Sequence, residues 1–167
     1  QRKQGAGSAV QGGAGNIRAG FMGQLFWEAG YRTTFVDVNR QLVELLNGRT
    51  AYTLRLLDAY RREAVDLTID RFDALHAGQA AEVAEAVSRA DVLCTAVGVK
   101  SLPPVAALIA AGLRQRFARG GRPVDVWLRE NLLGAAGILE EQVALNLDER
   151  CRRWALENVG FVGTAVA

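Results

Sequence analysis

Histidine, cysteine and lysine are nearly missing from this sequence, and their scarcity removes several kinds of chemistry. His76 is the only histidine, and the two cysteines, Cys94 and Cys151, stand far apart. A zinc centre needs three or four closely spaced ligands of these types, so none is expected. The two thiols read as free groups in a reducing cytoplasm. An excess of one charge sign is missing too. Twenty basic residues face eighteen acidic ones, a net charge of +2, too even to point to nucleic acid or an anionic membrane as a partner. No apolar run approaches the ~20 residues of a membrane span. The start, Gln1 to Gly7, has neither an initiating methionine nor the apolar stretch of a secretory signal, and is expected to lie outside the fold as a clipped or disordered end. The run from Phe161 to Ala167 is apolar, without a polar tail, and reads as a cut.

What remains is the balance of a globular protein. Half of the 167 residues are hydrophobic and 23% are charged, enough for one domain with a real core, placed at residues 8–167. Ser8–Gly12 reads as a short first strand, followed by a helix from about Ile17 to Ala29 that carries Phe21, Leu25 and Phe26 on one face and ends at Gly30. Thr33 to Val38 is a β-branched, continuous run, the mark of a strand buried on both faces of a parallel sheet. A helix from Arg40 to about Asn47 stops at Gly48. Tyr52–Leu57 and Ala64–Ile69 then break the alternation and read as an inserted hairpin. A helix near Gln79–Arg89, a strand Asp91–Val97, a helix opened by Pro103 and Pro104, and a strand Val124–Leu128 restore it. Helices over Asn131–Leu145 and Asp148–Asn158 and a last strand Val159–Val162 complete the order. Strands alternating with helices, joined by right-handed crossovers, make an α/β fold: a Rossmann-type doubly wound parallel sheet with helices on both faces.

The candidate site begins at Gly13-Ala14-Gly15-Asn16-Ile17-Arg18. A tight turn after a strand needs one glycine, and a close approach of backbone to pyrophosphate needs a second. The following helix would aim free N–H groups at the phosphates. A plain glycine turn fits the same residues. Asp37, about 20 residues on at the end of the second strand, favours the nucleotide, because a carboxylate there accepts hydrogen bonds from ribose hydroxyls and repels a 2′-phosphate. Arg40 is able to grip such a phosphate and pulls toward NADP; the carboxylate outweighs it and favours NAD. Asp37 would otherwise be a helix cap, for which Asn39 is better placed. Thr95-Ala96-Val97-Gly98, at the end of a later strand, is small enough to let a nicotinamide lie against the backbone, or is an ordinary strand exit. Asn131, after Arg129-Glu130, offers an amide to a reacting oxygen, or caps a helix.

Taken in order, Gly13–Ile17, Gly20-Phe21-Met22-Gly23, Phe35–Asn39, Thr95–Gly98, Glu130-Asn131 and Val159–Val162 resemble the N-terminal domain of the mannitol-1-phosphate dehydrogenase branch of the long-chain polyol dehydrogenases. The resemblance implies a zinc-independent, NAD-linked oxidoreductase that interconverts a sugar alcohol or its phosphate with the ketose. It places the cofactor on Gly13, Ala14, Gly15, Asn16, Ile17, Asp37, Val38, Thr95, Ala96, Val97, Gly98, Glu130 and Asn131, with Asn131 stabilising the alkoxide. The base in this family is a lysine of a helical C-terminal domain. Lys3 and Lys100 are the only lysines here and neither matches its motif. The fragment alone is therefore expected to be inactive, and to self-associate through the face that the absent domain would cover. Two other readings are a non-catalytic NAD-binding regulatory module and the nucleotide domain of a hydroxy-acid or sugar-acid dehydrogenase. Three positions depart from the family pattern: Arg18 replaces the usual third glycine, Gly12 a bulky apolar residue, and Gly163 an aspartate.

Overall fold

The computed structural model describes residues 7–13, 26–57, 63–129 and 133–163. Six strands form one parallel sheet in the order β5-β2-β1-β6-β7-β8. They are β1 (Ser8–Gly12), β2 (Arg32–Asp37), β5 (Phe72–His76), β6 (Val92–Thr95), β7 (Val124–Leu128) and β8 (Val159–Gly163). The hairpin is a separate two-stranded sheet, β3 (Tyr52–Leu57) paired antiparallel with β4 (Ala64–Ile69). The helices are α1 (Arg40–Asn47), α2 (Ala80–Arg89), α3 (Leu102–Ala118), α4 (Ala135–Leu145) and α5 (Glu149–Asn158). Of the expected first helix residues 26–29 are described: 26–28 are helical and Ala29 already belongs to the turn that follows.

Local chemistry explains most boundaries. Asn39 caps α1 by accepting the Leu42 N–H at 3.1 Å, and Asp148 caps α5 by accepting that of Cys151 at 2.8 Å. Pro103 and Pro104 sit in the first turn of α3, where missing N–H groups cost nothing. The helix expected from Asn131 begins only at Ala135, because Leu133 and Gly134 form a turn with Gly134 left-handed. The strand expected over Asp91–Val97 is regular only from Val92 to Thr95.

One strand escaped the sequence reading. β5 pairs in parallel with β2, from Thr33 opposite Phe72 to Asp37 opposite His76. It follows β4 across Asp70-Arg71, a turn without glycine or proline. Arg71 takes φ 57°, the only non-glycine left-handed residue among those described. Its guanidinium donates to the Trp27 carbonyl and lies over the indole, whose N–H donates to Asp70 at 2.7 Å. Side-chain contacts hold the turn that backbone preference alone disfavours.

The helices divide between the faces. α2, α3, α4 and α5 share the main core with Val10, Val36, Leu93, Val126 and Leu128. On the opposite face α1 packs on Phe35, Phe72 and Ala74, and Phe26 on Ala9 and Cys94. Strand register puts Gln11, Cys94, Trp127 and Val162 side by side across that second face. Gln11 and Cys94 are buried, but Trp127 is 36% exposed. Among the described residues, cover on this face thus stops at β6. The reason is topological: right-handed crossovers that run outward from β1 in opposite directions put their helices on opposite faces.

Asn47, the last residue of α1, joins α1 to the sheet edge. Its amide donates to the Ala74 carbonyl at 2.8 Å and accepts the Ala74 N–H at 2.9 Å.

Candidate cofactor site

The strand order reverses between β1 and β6, and a cavity of about 280 Å³ opens at their carboxyl ends. Crevices at such reversals are where doubly wound sheets take ligands. Register sets Gly12 beside Val36 on one side and Thr95 on the other, so β1, β2 and β6 deliver their ends to one place.

Gly13 makes the turn out of β1. Its N–H donates to the Val36 carbonyl at 2.9 Å and its φ is 93°, in the left-handed region. A Cβ at Gly13 would stand 2.5 Å from the Ala96 carbonyl oxygen. Only a glycine passes here, and the buried backbone of this turn forms part of the cavity lining. Asp37, half-buried at the end of β2, lines the same cavity, and its Oδ1 accepts the Asn39 N–H at 2.8 Å. Asn39, and not Asp37, caps α1.

On the other side Thr95, Ala96 and Val97 line the cavity, tied to β1 and the chain after β7 by Ala96 N–H to Gly12 O at 3.1 Å and Arg129 N–H to Thr95 O at 2.9 Å. The Thr95 hydroxyl is buried and finds no hydrogen-bond partner among the described residues, an arrangement that fits a cavity built for a polar group. Gly98 begins the short 3₁₀ turn Val99–Ser101 and does not line the cavity. The inner wall is apolar, from Val83 on α2 and Val105 and Leu108 on α3. A planar, hydrophobic ring fits such a wall, beside a carboxylate for sugar hydroxyls.

Of the residues expected to form the site, Gly13, Asp37, Val38, Thr95, Ala96 and Val97 meet at this cavity. Ala14, Gly15, Asn16, Ile17, Glu130 and Asn131 lie outside the described residues, as does Arg18. Gly12 opens onto the cavity, where a Cβ would find ordinary contacts, 3.7 Å to Val97 and 3.9 Å to the Cys94 carbonyl. Gly163 is exposed at the end of β8. Sequence reasoning missed Ala77, which lines the cavity just beyond β5. Recognition of β5 as a strand would have supplied it, since its carboxyl end must fall beside Asp37.

Strand order, glycine turn and acidic strand end together define a Rossmann domain of the dinucleotide-binding kind. The chain belongs to the family described as mannitol dehydrogenase Rossmann domain, whose sequence model matches residues 7–167. The mannitol-1-phosphate 5-dehydrogenase of Brevibacillus brevis is 42% identical over 158 residues, covering 95% of this chain and 40% of that protein. That of Geobacillus thermodenitrificans is 40% identical over 159 residues, with 95% and 40% covered. The chain thus spans about 40% of the length of these relatives. Among solved structures, D-sorbitol dehydrogenase in substrate-free form superposes with a TM-score of 0.76 at 15% identity, over 93% of this chain and 41% of that one. Pseudomonas fluorescens mannitol 2-dehydrogenase, in a ternary complex with NAD and D-mannitol, gives 0.73 at 15% identity, over 93% and 40%. At such identities the likeness is one of fold.

Among the described residues no helix is long and apolar enough to cross a membrane.

Proposed function

We propose that this chain is the NAD-binding part of an oxidoreductase that interconverts a polyol, or a polyol phosphate of the mannitol 1-phosphate type, with its ketose by hydride transfer. The observation that carries the reading is the meeting of Gly13 and Asp37 at the strand-order reversal: a turn that only glycine can make, at the start of the phosphate segment, and a carboxylate for ribose hydroxyls. The same carboxylate disfavours a 2′-phosphate, hence NAD over NADP. The cofactor, when bound, supplies the hydride-accepting ring. The chain's own residues bind and orient it: Asp37 at the adenosine ribose, Gly13–Ile17 at the phosphates, Thr95–Gly98 beneath the nicotinamide. Asn131, preceded by Glu130, is assigned to the reacting oxygen, where an amide N–H stabilises an alkoxide.

The general base belongs to a segment outside these 167 residues, in keeping with relatives more than twice as long. The uncovered face of β7 and β8, with Trp127 beside Val162, is where a helical substrate domain would dock. In isolation the domain is inert toward polyols and associates through that face. Both cysteines are buried and neither is in a disulfide, which suits a reducing cytoplasm.

Calorimetric titration with NAD⁺ and NADP⁺ tests the reading. Saturable NAD⁺ binding is expected, weaker for NADP⁺, and weakened about 10-fold or more by Asp37→Ala through loss of charged hydrogen bonds. No binding of either nucleotide would overturn it.

A further inference from the structure

The sole histidine of the chain stands beside two residues that line the cavity, Asp37 across the strand register and Ala77 next in sequence, and its hydrogen bonds define its tautomer. His76 ends β5, directly opposite Asp37 in the β2–β5 register. The Gly78 backbone N–H donates to its Nδ1 at 2.9 Å. An amide can only donate, so Nδ1 carries no proton there, and the neutral ring is protonated on Nε2. Nε2 lies 2.9 Å from the Val38 carbonyl oxygen and donates to it. The imidazole therefore bridges two turns, the one after β2 and the one after β5.

Both turns are organised around this bridge. In the first, Asp37 Oδ1 holds the Asn39 N–H, and Asn39 in turn caps α1. In the second, the His76 N–H donates to Gln79 Oε1 and the His76 carbonyl accepts the Gln79 N–H, both at 2.9 Å. Gly78 is shaped for the ring: a Cβ there would fall 2.9 Å from Nδ1. Asp37 and Val38 from one turn and Ala77 from the other are neighbouring parts of the cavity wall.

We propose that His76 is a positioning residue for the adenosine half of the cofactor, its neutral Nε2–H imidazole clamping the Asp37–Asn39 turn to the Ala77–Gln79 turn. The inference rests on the NAD reading above and deepens it. Without the ring, the Gly78 N–H loses its acceptor and the Ala77–Gln79 turn loses its tie to the Val38 carbonyl.

Two measurements on this chain test the proposal. The first needs no nucleotide: long-range ¹⁵N NMR of the imidazole, with the Gly78 amide signal compared between the native chain and His76→Ala. The Nε2–H tautomer is expected in the native chain, and the Gly78 signal is expected to shift in the variant. The opposite tautomer, or a Gly78 signal that does not move in the variant, would overturn the clamp. The second is NAD⁺ titration at one pH. His76→Ala should weaken the affinity about 5- to 10-fold, the worth of a hydrogen bond. His76→Gln retains a donor for Val38 and should recover most of it. Unchanged affinity in His76→Ala would overturn the role of His76. If the clamp is present as described but the native chain binds no NAD⁺, the cofactor reading fails instead, and the assignment of His76 to it falls with that reading.

Discussion

The carbonyl oxygen of Ala96 stands 2.5 Å from the point where a β-carbon on Gly13 would be. The turn out of β1 and the end of β6 are therefore fitted backbone to backbone, with no side chain between them. Gly13→Ala has two costs, a left-handed φ of 93° and a clash that neither neighbour relieves by a rotamer change. A loss of about 1–3 kcal/mol in stability is expected from the strain alone. NAD⁺ binding should disappear in the same variant. Thermal unfolding and calorimetric titration together check this; a variant that melts and binds like the native chain would show that the turn relaxes freely.

Gly12, the preceding residue, behaves in the opposite way. It lies in a strand, and a Cβ there meets only ordinary contacts with Val97 and the Cys94 carbonyl. Gly12→Ala is expected to stabilise the domain by about 0.5–1 kcal/mol, because a strand glycine gives up more chain entropy on folding than alanine. A rise in the melting midpoint is the readout, and a fall would mean that the cavity wall depends on the missing side chain.

Arg116 carries the heaviest hydrogen-bonding load among the described side chains. Its guanidinium, on a residue only 2% exposed, donates to the carbonyls of Ala90 at 2.7 Å, Arg122 at 2.6 Å, Ser88 at 3.2 Å and Pro123 at 3.3 Å. Burial, with the charge of Arg122 adding to it, pushes its pKa below the ordinary arginine value. The carbonyls it satisfies lie at the end of α2 and just before β7, so one side chain joins two connections. Arg116→Met should cost about 3 kcal/mol or more, since several buried acceptors lose a charged donor. Arg116→Lys should rescue little, because a single ammonium cannot span the fork. Urea unfolding midpoints decide this.

Tyr52 fastens the hairpin to the domain through edge-on contacts with Phe35 and Phe72, at centroid distances of 6.4 and 5.1 Å. Burial pushes its phenol from 10.0 up to about 12. A raised pKa of this kind stabilises the fold fully below the ordinary tyrosine value and loses that contribution as pH climbs toward about 12. Ultraviolet titration should show one tyrosine ionising late, and Tyr52→Phe should delete that phase. If all tyrosines ionise together near pH 10, the ring is not buried in solution.

The sequence made much of this fold readable where side-chain pattern and backbone chemistry agree. β7 was bounded correctly because Val124, Val126 and Leu128 alternate with Asp125 and Trp127 before a change of composition. α1 was bounded because Asn39 and Gly48 mark its ends. β5 stayed hidden for physical reasons. Arg71 makes its left-handed turn without glycine, and Asp73, unlikely in a covered strand, is satisfied by the Thr34 hydroxyl at 2.7 Å. The carboxyl-end half of the site that β2 and β6 contribute was legible from Asp37 and Thr95–Val97. The half contributed after β5, Ala77 and the His76 bridge, was not, since it depends on a register that no local pattern encodes.

The paired bonds between Asn47 and Ala74 have a consequence for behaviour at high concentration. β5 is an outer strand, and the inward side of its middle residues is already engaged by β2. Ala74 would otherwise offer an unused N–H and C=O to any extended chain that drifted alongside. The Asn47 amide imitates one peptide unit of such a chain and occupies both groups, so a passing strand finds its first foothold taken. Removing it by Asn47→Ala would turn this rim of the sheet into a template for intermolecular β-pairing.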